Sequence, residues 1–115
     1  MRHVEKGEIY FAQLNDTVGS EQSGLRPVTI VQNDKGNHYS PTTIIVPITS
    51  KSKPPLPTHV TTQNKCLKRK SVILAEHIRT IDKRRLQEMI GKLNPSEMHQ
   101  LDKALAISLA INQEE

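Results

Sequence analysis

The sequence predicts a small, mainly β fold of the α+β class: an antiparallel barrel with short helices and a C-terminal helix. Residues 8–14 alternate weakly and carry Ile9, Phe11 and Leu14, and three short runs rich in β-branched residues, bounded by Gly, Pro, Asn or Ser, lie at 28–32, 43–49 and 71–75. No helix-length connector separates them, which favours a barrel over a parallel sheet. The 115 residues are enough for a single domain, 1–115, with a modest core.

The connections between these strands are rich in turn residues. Residues 33–37 read Asn-Asp-Lys-Gly-Asn, which predicts a turn. Residues 51–57 form a stiff, cationic loop with three prolines, and residues 65–70 form a second basic loop. Because loops on a rigid barrel commonly carry binding residues, we expect the site to involve these segments.

Two helices are predicted after the last strand. Residues 82–90 predict a short helix that ends at Gly91. The final helix has a clearer start, since Asn94 is a good N-cap residue, a proline follows in the first turn, and Glu97 stands at the N3 position of a capping box. An apolar stripe is expected to pack on the barrel, and it comprises Met98, Leu101, Leu105 and Leu109.

Charge is concentrated in the middle of the chain. The net charge is +4, yet residues 51–85 contain ten of the sixteen Lys and Arg residues and only two acids, Glu76 and Asp82. Such a cluster favours a polyanionic or acidic partner, and a solvated basic surface is the alternative. Tryptophan is absent and aromatic residues are few, which argues against an aromatic platform for stacking bases.

The sequence lacks the motifs that are typical of several function classes. The five histidines are scattered, no Cys-x2-Cys pair occurs, and no Gly-rich phosphate loop is found, so we expect neither a metal site nor a cofactor. The single Cys66 is expected to be a free thiol. No apolar run approaches the roughly 20 residues of a membrane span and the N-terminus lacks a signal-peptide pattern, so we expect a cytoplasmic protein.

Arg26 stands where a polar loop enters a buried strand. A guanidinium at the edge of an apolar core needs acceptors, and its natural partners are a carboxylate or a phosphate. Two hypotheses follow. Arg26 either binds a phosphate group, or it pairs structurally with Glu21 or Glu76.

Four blocks of the sequence resemble the MazF/PemK family of toxin endoribonucleases. They are Gly7-Glu8-Ile9-Tyr10-Phe11, the run from Gly19 to Pro27 (GSEQSGLRP), Pro41 to Ser50 (PTTIIVPITS), and Ser71 to Lys83 (SVILAEHIRTIDK). The blocks occur in the family's order and cover most of the chain. The resemblance implies an SH3-like β-barrel and the toxin of a type II toxin–antitoxin pair.

The resemblance also implies an activity. It is sequence-specific, metal-independent cleavage of single-stranded RNA, principally messenger RNA, by attack of the 2′-hydroxyl, which leaves a 2′,3′-cyclic phosphate and a 5′-hydroxyl. The family's G-x-R-P and P-[IL]-T motifs place its catalytic residues at Arg26 and Thr49 of this chain. Because DNA lacks the 2′-hydroxyl, it would not be cut.

Further positions are expected to contact RNA, because amides and carboxylates read exposed base edges in single strands. They are Ser20, Glu21, Gln22, Asn33, Ser50, Lys53, Leu56, Thr58, His59, Glu76 and His77. Turn chemistry is the alternative for Glu21, Gln22 and Asn33, as local capping is for Ser20. At His77 the sequence departs from the family's usual Glu-Gln, which changes the donors available for base recognition.

The implied partners are RNA, a second copy of the chain in a homodimer, and a cognate MazE-like antitoxin whose acidic C-terminal segment would cover the basic loops. Two rival functions remain at this point. A gyrase-poisoning toxin of the CcdB kind shares the barrel without needing Arg26 and Thr49, and a non-catalytic RNA-binding barrel would tolerate loss of Thr49.

Overall fold

The computed structural model of the protein describes residues 3–15 and 18–112. Seven strands and two α-helices follow one another along the chain. In order they are β1 (Glu8–Leu14), β2 (Gly24–Ile30), α1 (Asp34–Tyr39), β3 (Thr42–Thr49), β4 (His59–Thr62), β5 (Ser71–Leu74), β6 (Arg79–Asp82), β7 (Leu86–Lys92) and α2 (Pro95–Ser108), with 3₁₀ turns at Ala75–His77 and Lys83–Arg85. None of the helices in these described ranges is long and apolar enough to cross a membrane.

The strands form one antiparallel, curled sheet in the order β4-β5-β3-β2-β1-β7, and β6 also pairs with β3. The sheet does not close, because β4 and β7 stand at its two ends without pairing to each other. One edge of β3 is shared by β6 at residues 42–45 and by β5 at residues 48–49. The 3₁₀ turn at Ala75–His77 lies between β5 and β6 in the chain and connects these two partners of β3.

Both faces of the sheet are buried in an apolar core. One core includes Tyr10, Leu14, Val28 and Ile45. The other lies between the sheet and α2 and includes Ile9, Val46, Ile48 and Leu101. Alternate residues of β1 and β3 therefore serve opposite cores, as the side-chain period of two in a strand requires. This double burial explains why β3 reads as a nearly continuous apolar run.

The C-terminal helix begins as predicted. Asn94 accepts a hydrogen bond from the backbone N–H of Glu97 at 2.8 Å, and the Glu97 carboxylate accepts one from the backbone N–H of Asn94 at 3.0 Å. This reciprocal pair is a complete capping box. The predicted stripe is confirmed for Met98, Leu101 and Leu105, which pack against the sheet. It is wrong for Leu109, whose side chain is exposed at the end of the helix.

The structure corrects two local predictions and shows two strands that were not predicted. Residues 33–37 do not form a simple turn, because Asn33 caps the six-residue helix α1. Residues 83–85 form only one 3₁₀ turn, and the predicted helix is replaced by β7, whose Leu86 lies buried opposite Ala12. The strands β4 and β6, which the sequence pattern did not predict, have four residues each. Strand pairing with β1 satisfies the backbone of β7 and outweighs the helix propensity of its residues.

The second basic loop is held against β7 by a close contact. A Cβ atom added at Gly91 would lie 2.6 Å from Sγ and 2.7 Å from Cβ of Cys66. Only glycine therefore lets the loop approach the strand this closely. Asn64 reinforces the contact, since its Nδ2 donates to the carbonyl of Lys92 at 3.0 Å.

We predict that Gly91→Ala destabilises the protein by about 1–3 kcal/mol, because the added methyl group overpacks this contact. Urea unfolding of the variant measures the loss. Cys66→Gly removes both atoms that the methyl group would meet, so in that background Gly91→Ala should cost much less. An equal cost in the two backgrounds would contradict the contact.

Candidate functional site

Arg26 lies on β2, directly after a tight loop that ends at Gly24. Gly24 has a φ of 80°, in the left-handed region that favours glycine. The Arg26 guanidinium donates from Nε to the carbonyl of Ser23 at 2.9 Å and from Nη1 to Oε1 of Gln22 at 2.5 Å. The loop thus binds the guanidinium with its own carbonyl and with a neutral amide.

The structural hypothesis for Arg26 named Glu21 or Glu76 as its partner. Within the described part of the chain, neither carboxylate forms an ion pair with it. A guanidinium has five N–H donors, and Ser23 and Gln22 engage two of them. Binding of a phosphate by Arg26 stays a prediction.

Thr49 ends β3, and its side chain is held by the start of the following loop. The residue is only 3% exposed. Its Oγ1 accepts a hydrogen bond from the backbone N–H of Lys51 at 3.2 Å. Because a hydroxyl that accepts one bond still carries its own hydrogen, Thr49 remains a donor.

The pairing of β2 with β3 brings these two residues together. Val28 pairs with Pro47 and Ile30 pairs with Ile45. Continuing this register by two residues places Arg26 opposite Thr49, just beyond the last hydrogen-bonded pair. The two residues therefore lie on neighbouring strands, just beyond the point where the pairing of β2 with β3 ends.

Both residues line a groove of about 710 Å³, which we call the Arg26 groove. Its cationic side chains include Lys51, Lys68 and Arg69, and Glu88 is the one acid among its lining residues. The rest of the lining comprises Phe11, Leu25, Pro27, Ile48, Ser50, Cys66, Leu67, Ser71 and Ile90. The field in this groove favours an anion.

A second groove of about 450 Å³, the Glu76 groove, collects other predicted residues. It is lined by Glu21, Gln22, Glu76 and His77, together with Leu14, Ile45, Pro47, Ile78 and Arg79. Gln22 belongs to this groove while its amide oxygen holds Arg26 of the first groove. One side chain therefore connects the two grooves.

The two carboxylates of the Glu76 groove are held by nearby donors. Glu21 accepts at Oε2 from the backbone N–H of Val18 at 2.7 Å, which closes the β1–β2 loop on itself. Burial opposes ionisation of Glu76, but bonds from its own backbone N–H, from His59 and from Thr58 outweigh this and lower the pKa of the carboxyl. Glu76 is therefore a carboxylate at neutral pH and can accept hydrogen bonds.

The other predicted contact residues lie outside the lining of both grooves. Ser20, Lys53 and Leu56 are exposed. Asn33 uses Oδ1 to accept from the backbone N–H of Gly36 at 2.8 Å, so this oxygen serves as the helix cap. Thr58 and His59 contact Glu76 at the rim of the second groove. Their contact with RNA stays a prediction.

Some lining residues were not predicted from the sequence. Glu88 and Ile90 could not be placed, because their segment was interpreted as a helix rather than as strand β7. Phe11 was assigned only to a strand, although its position opposite Pro27 brings it to the Arg26 groove. Among residues 3–15 and 18–112, no group of three or more His, Cys, Asp or Glu side chains is placed to hold a metal ion.

Fold and site together define a class of protein: a small β-sheet protein with a cationic groove that is lined by an arginine and a threonine from adjacent strands. The family model of the PemK-like, MazF-like toxins of type II toxin–antitoxin systems matches residues 5–109. The chain therefore belongs to this family.

Solved structures share the fold. A MazF from Deinococcus radiodurans is 24% identical, with a TM-score of 0.83 over 96% of this chain and 99% of that one. An endoribonuclease from a mycobacterial species is 23% identical, with a TM-score of 0.82 over 99% of this chain and 98% of that one. Another mycobacterial endoribonuclease, in complex with its cognate antitoxin, is 24% identical, with a TM-score of 0.82 over 96% of this chain and 99% of that one.

We predict that the Cys66 thiol in the Arg26 groove reacts slowly with iodoacetamide at neutral pH. Burial raises its pKa, the Glu97 carboxylate raises it further, and a backbone hydrogen bond opposes both effects only in part. Since the thiolate is the nucleophile, the rate should reach half its maximum at a higher pH than for free cysteine, near 8.5. The pH profile of alkylation measures this, and a midpoint at or below that of free cysteine would contradict it.

Proposed function

We propose that the protein is a sequence-specific, metal-independent endoribonuclease that cleaves single-stranded RNA, principally messenger RNA, as the toxin of a type II toxin–antitoxin system. The observation that carries the proposal is the placement of Arg26 and Thr49 on opposite strands in one cationic groove. Membership of the toxin family supports it, as does the shared fold with proteins named endoribonucleases.

The reaction is an exchange of one phosphate ester for another. The 2′-oxygen forms a bond to the neighbouring phosphorus, and the bond from phosphorus to the 5′-oxygen breaks. The 2′-hydroxyl loses its proton and the leaving 5′-oxygen gains one, which leaves a 2′,3′-cyclic phosphate and a 5′-hydroxyl. Negative charge grows on the non-bridging oxygens as the phosphorus becomes five-coordinate, so donors aimed at these oxygens lower the barrier.

The free donors of Arg26 fit this need, because a guanidinium binds two phosphate oxygens through parallel N–H groups. The Thr49 hydroxyl adds a donor from the opposite strand. Lys51, Lys68 and Arg69 supply positive charge along the groove for the adjacent phosphates. The catalytic residues of the proposal are thus Arg26 and Thr49, and the surrounding charges hold the RNA backbone.

The Glu76 groove is proposed to read the bases. Glu21 and Glu76 present acceptors, Gln22 presents an amide, and His77 presents ring nitrogens. Groups of these kinds distinguish bases through their exposed Watson–Crick edges in single-stranded RNA. Ser20, Asn33, Ser50, Lys53, Leu56 and Thr58 remain proposed RNA contacts around the two grooves, and His59 lies beside them with both ring nitrogens engaged by the protein.

The same basic surface is proposed to bind a MazE-like antitoxin through an acidic C-terminal segment, in competition with RNA. Deinococcus radiodurans MazF has been solved with MazE, and one such complex has 20% identity and a TM-score of 0.77 to this chain, over 97% of this chain and 100% of that one. We further infer a homodimer, in which composite grooves bind RNA, and a cytoplasmic location, where messenger RNA is translated.

The first test is cleavage of a long single-stranded RNA by the purified protein in excess EDTA, with cut sites mapped by primer extension. We expect discrete cuts from the native protein. Arg26→Ala should lower the rate by about a hundredfold or more, as loss of one electrostatic stabiliser commonly does.

Arg84→Ala is the matched control, since Arg84 is an exposed arginine that pairs with Asp82 and lies in neither groove. It should cut RNA like the native protein. Intact RNA with the native protein, or near-native cutting by Arg26→Ala, would overturn the proposed catalytic assignment. Light scattering of each variant checks that the oligomeric state is unchanged.

A second prediction concerns the bond between Gln22 and Arg26. Gln22→Met keeps the size of the side chain but removes the acceptor, so we expect kcat to fall about tenfold to a hundredfold, the usual range for a hydrogen bond to a charged group. Gln22→Glu keeps an acceptor for Arg26 and loses the amide donor. Its carboxylate would pair with the guanidinium and compete with phosphate, so it should also lower kcat. Native turnover in Gln22→Met would contradict the positioning role.

A further inference from the structure

The loop between β3 and β4, residues 50–58, is exposed over residues 50–57 and directly follows Thr49. At its two ends it is tied by backbone groups, because Lys51 donates to Thr49 and the N–H of His59 donates to the carbonyl of Leu56 at 2.9 Å. Between these ends, the carbonyl of Pro54 contacts the His59 side chain. This contact decides how the middle of the loop lies against the sheet.

The His59 ring is nearly buried, with its side chain 7% exposed, and both of its nitrogens are engaged. Nδ1 lies 2.8 Å from the carbonyl oxygen of Pro54, and Nε2 lies 2.7 Å from Oε2 of Glu76. Both ring nitrogens thus have an oxygen partner within hydrogen-bonding distance. His59 therefore joins an exposed loop to the 3₁₀ turn that carries Glu76.

The far end of this bridge is firmly placed. The 3₁₀ turn at Ala75–His77 lies between β5 and β6, and the backbone N–H of Ala75 donates to the carbonyl of Thr58 at 3.0 Å. Glu76 also receives a bond from the Thr58 side chain. The bond to Glu76 fixes the orientation of the ring, and the oriented ring presents Nδ1 to the loop.

We propose that His59 is a positioning residue that fastens the β3–β4 loop to the Glu76 turn and so orders the loop beside Thr49 before any ligand binds. A ring held in this way is not a free base-stacking surface. The order of the loop in the ligand-free protein can be tested without RNA. The effect of that order on RNA binding rests on the proposed function.

Two substitutions separate the two ring contacts. In His59→Asn the amide nitrogen takes the place of Nδ1, so the contact with Pro54 can persist while the contact with Glu76 is lost. In His59→Gln the amide nitrogen takes the place of Nε2, so the contact with Glu76 can persist while the loop is released. The pair therefore forms a matched control for the fastening of the loop.

Limited trypsin digestion without RNA measures loop order through cleavage after Lys51, followed by mass spectrometry. We expect His59→Gln to be cut about fivefold faster than the native protein, the equivalent of one net hydrogen bond of about 1 kcal/mol, and His59→Asn to be cut at a rate closer to native. Cleavage after Lys103, within α2, reports global unfolding. If cleavage after Lys103 rises as much as cleavage after Lys51 in a variant, the whole protein is unfolding. Loop order is then measured by amide exchange of residues 50–58 at low temperature.

Cleavage of RNA gives the second readout. His59→Gln should raise KM about fivefold with kcat retained, because RNA must then order the loop while Arg26 and Thr49 are unchanged. The proposal is overturned if the native protein, His59→Gln and His59→Asn show the same loop cleavage and the same amide exchange. In that case, an equal loss of RNA affinity in both variants would assign His59 to direct RNA contact. Absence of RNA cleavage by the native protein would overturn the proposed function but leave the loop result standing.

Discussion

The pairing of β3 with its neighbours is the constraint on which the rest of the structure depends. This one strand hydrogen-bonds to β2 on one edge and to β5 and β6 on the other, and its alternate residues fill both cores. A slip of one residue would turn every side chain of the strand to the opposite face, which the two buried cores forbid. Because the register is fixed by packing, Arg26 and Thr49 are held on neighbouring strands just beyond the end of the β2–β3 pairing.

The interruption on the outer edge of β3 explains why there are two grooves. β5 leaves β3 after two paired residues, and the chain makes a 3₁₀ turn before β6 joins the same edge. The turn exposes Glu76 and His77 beside Pro47, while the diverging ends of β2 and β3 open the Arg26 groove. The Cys66–Gly91 contact brings the second basic loop to the wall of that groove. Each groove thus forms where strand pairing stops.

Most of the fold could be predicted from the sequence, because four strands and the capped C-terminal helix have strong local signals. The short strand β4 could not be predicted, because only two of its four residues are buried and it gains its structure by pairing with β5. The helix predicted at residues 82–90 was wrong for a related reason: the side chains allow a helix, and the partner strand β1 is distant in the chain. Arg26 and Thr49 lie in sequence motifs that mark them as candidate site residues. The hydrogen bond from Arg26 to Gln22 depends on loop geometry that no sequence pattern shows.

The bond between Gln22 and Arg26 has a consequence for how recognition and cleavage are related. Gln22 lines the Glu76 groove, and its amide oxygen holds the guanidinium that faces the other groove. A ligand that draws the Gln22 amide away from Arg26 gives the guanidinium more rotational freedom. A ligand that binds only the amide nitrogen leaves the bond from the guanidinium to the amide oxygen intact. Under the proposed function, a base that disturbs Gln22 would lower turnover as well as affinity, because catalysis depends on donors held in a fixed position. Sequence preference would then be expressed in kcat, and not only in KM, because one side chain lines one groove and holds Arg26 of the other.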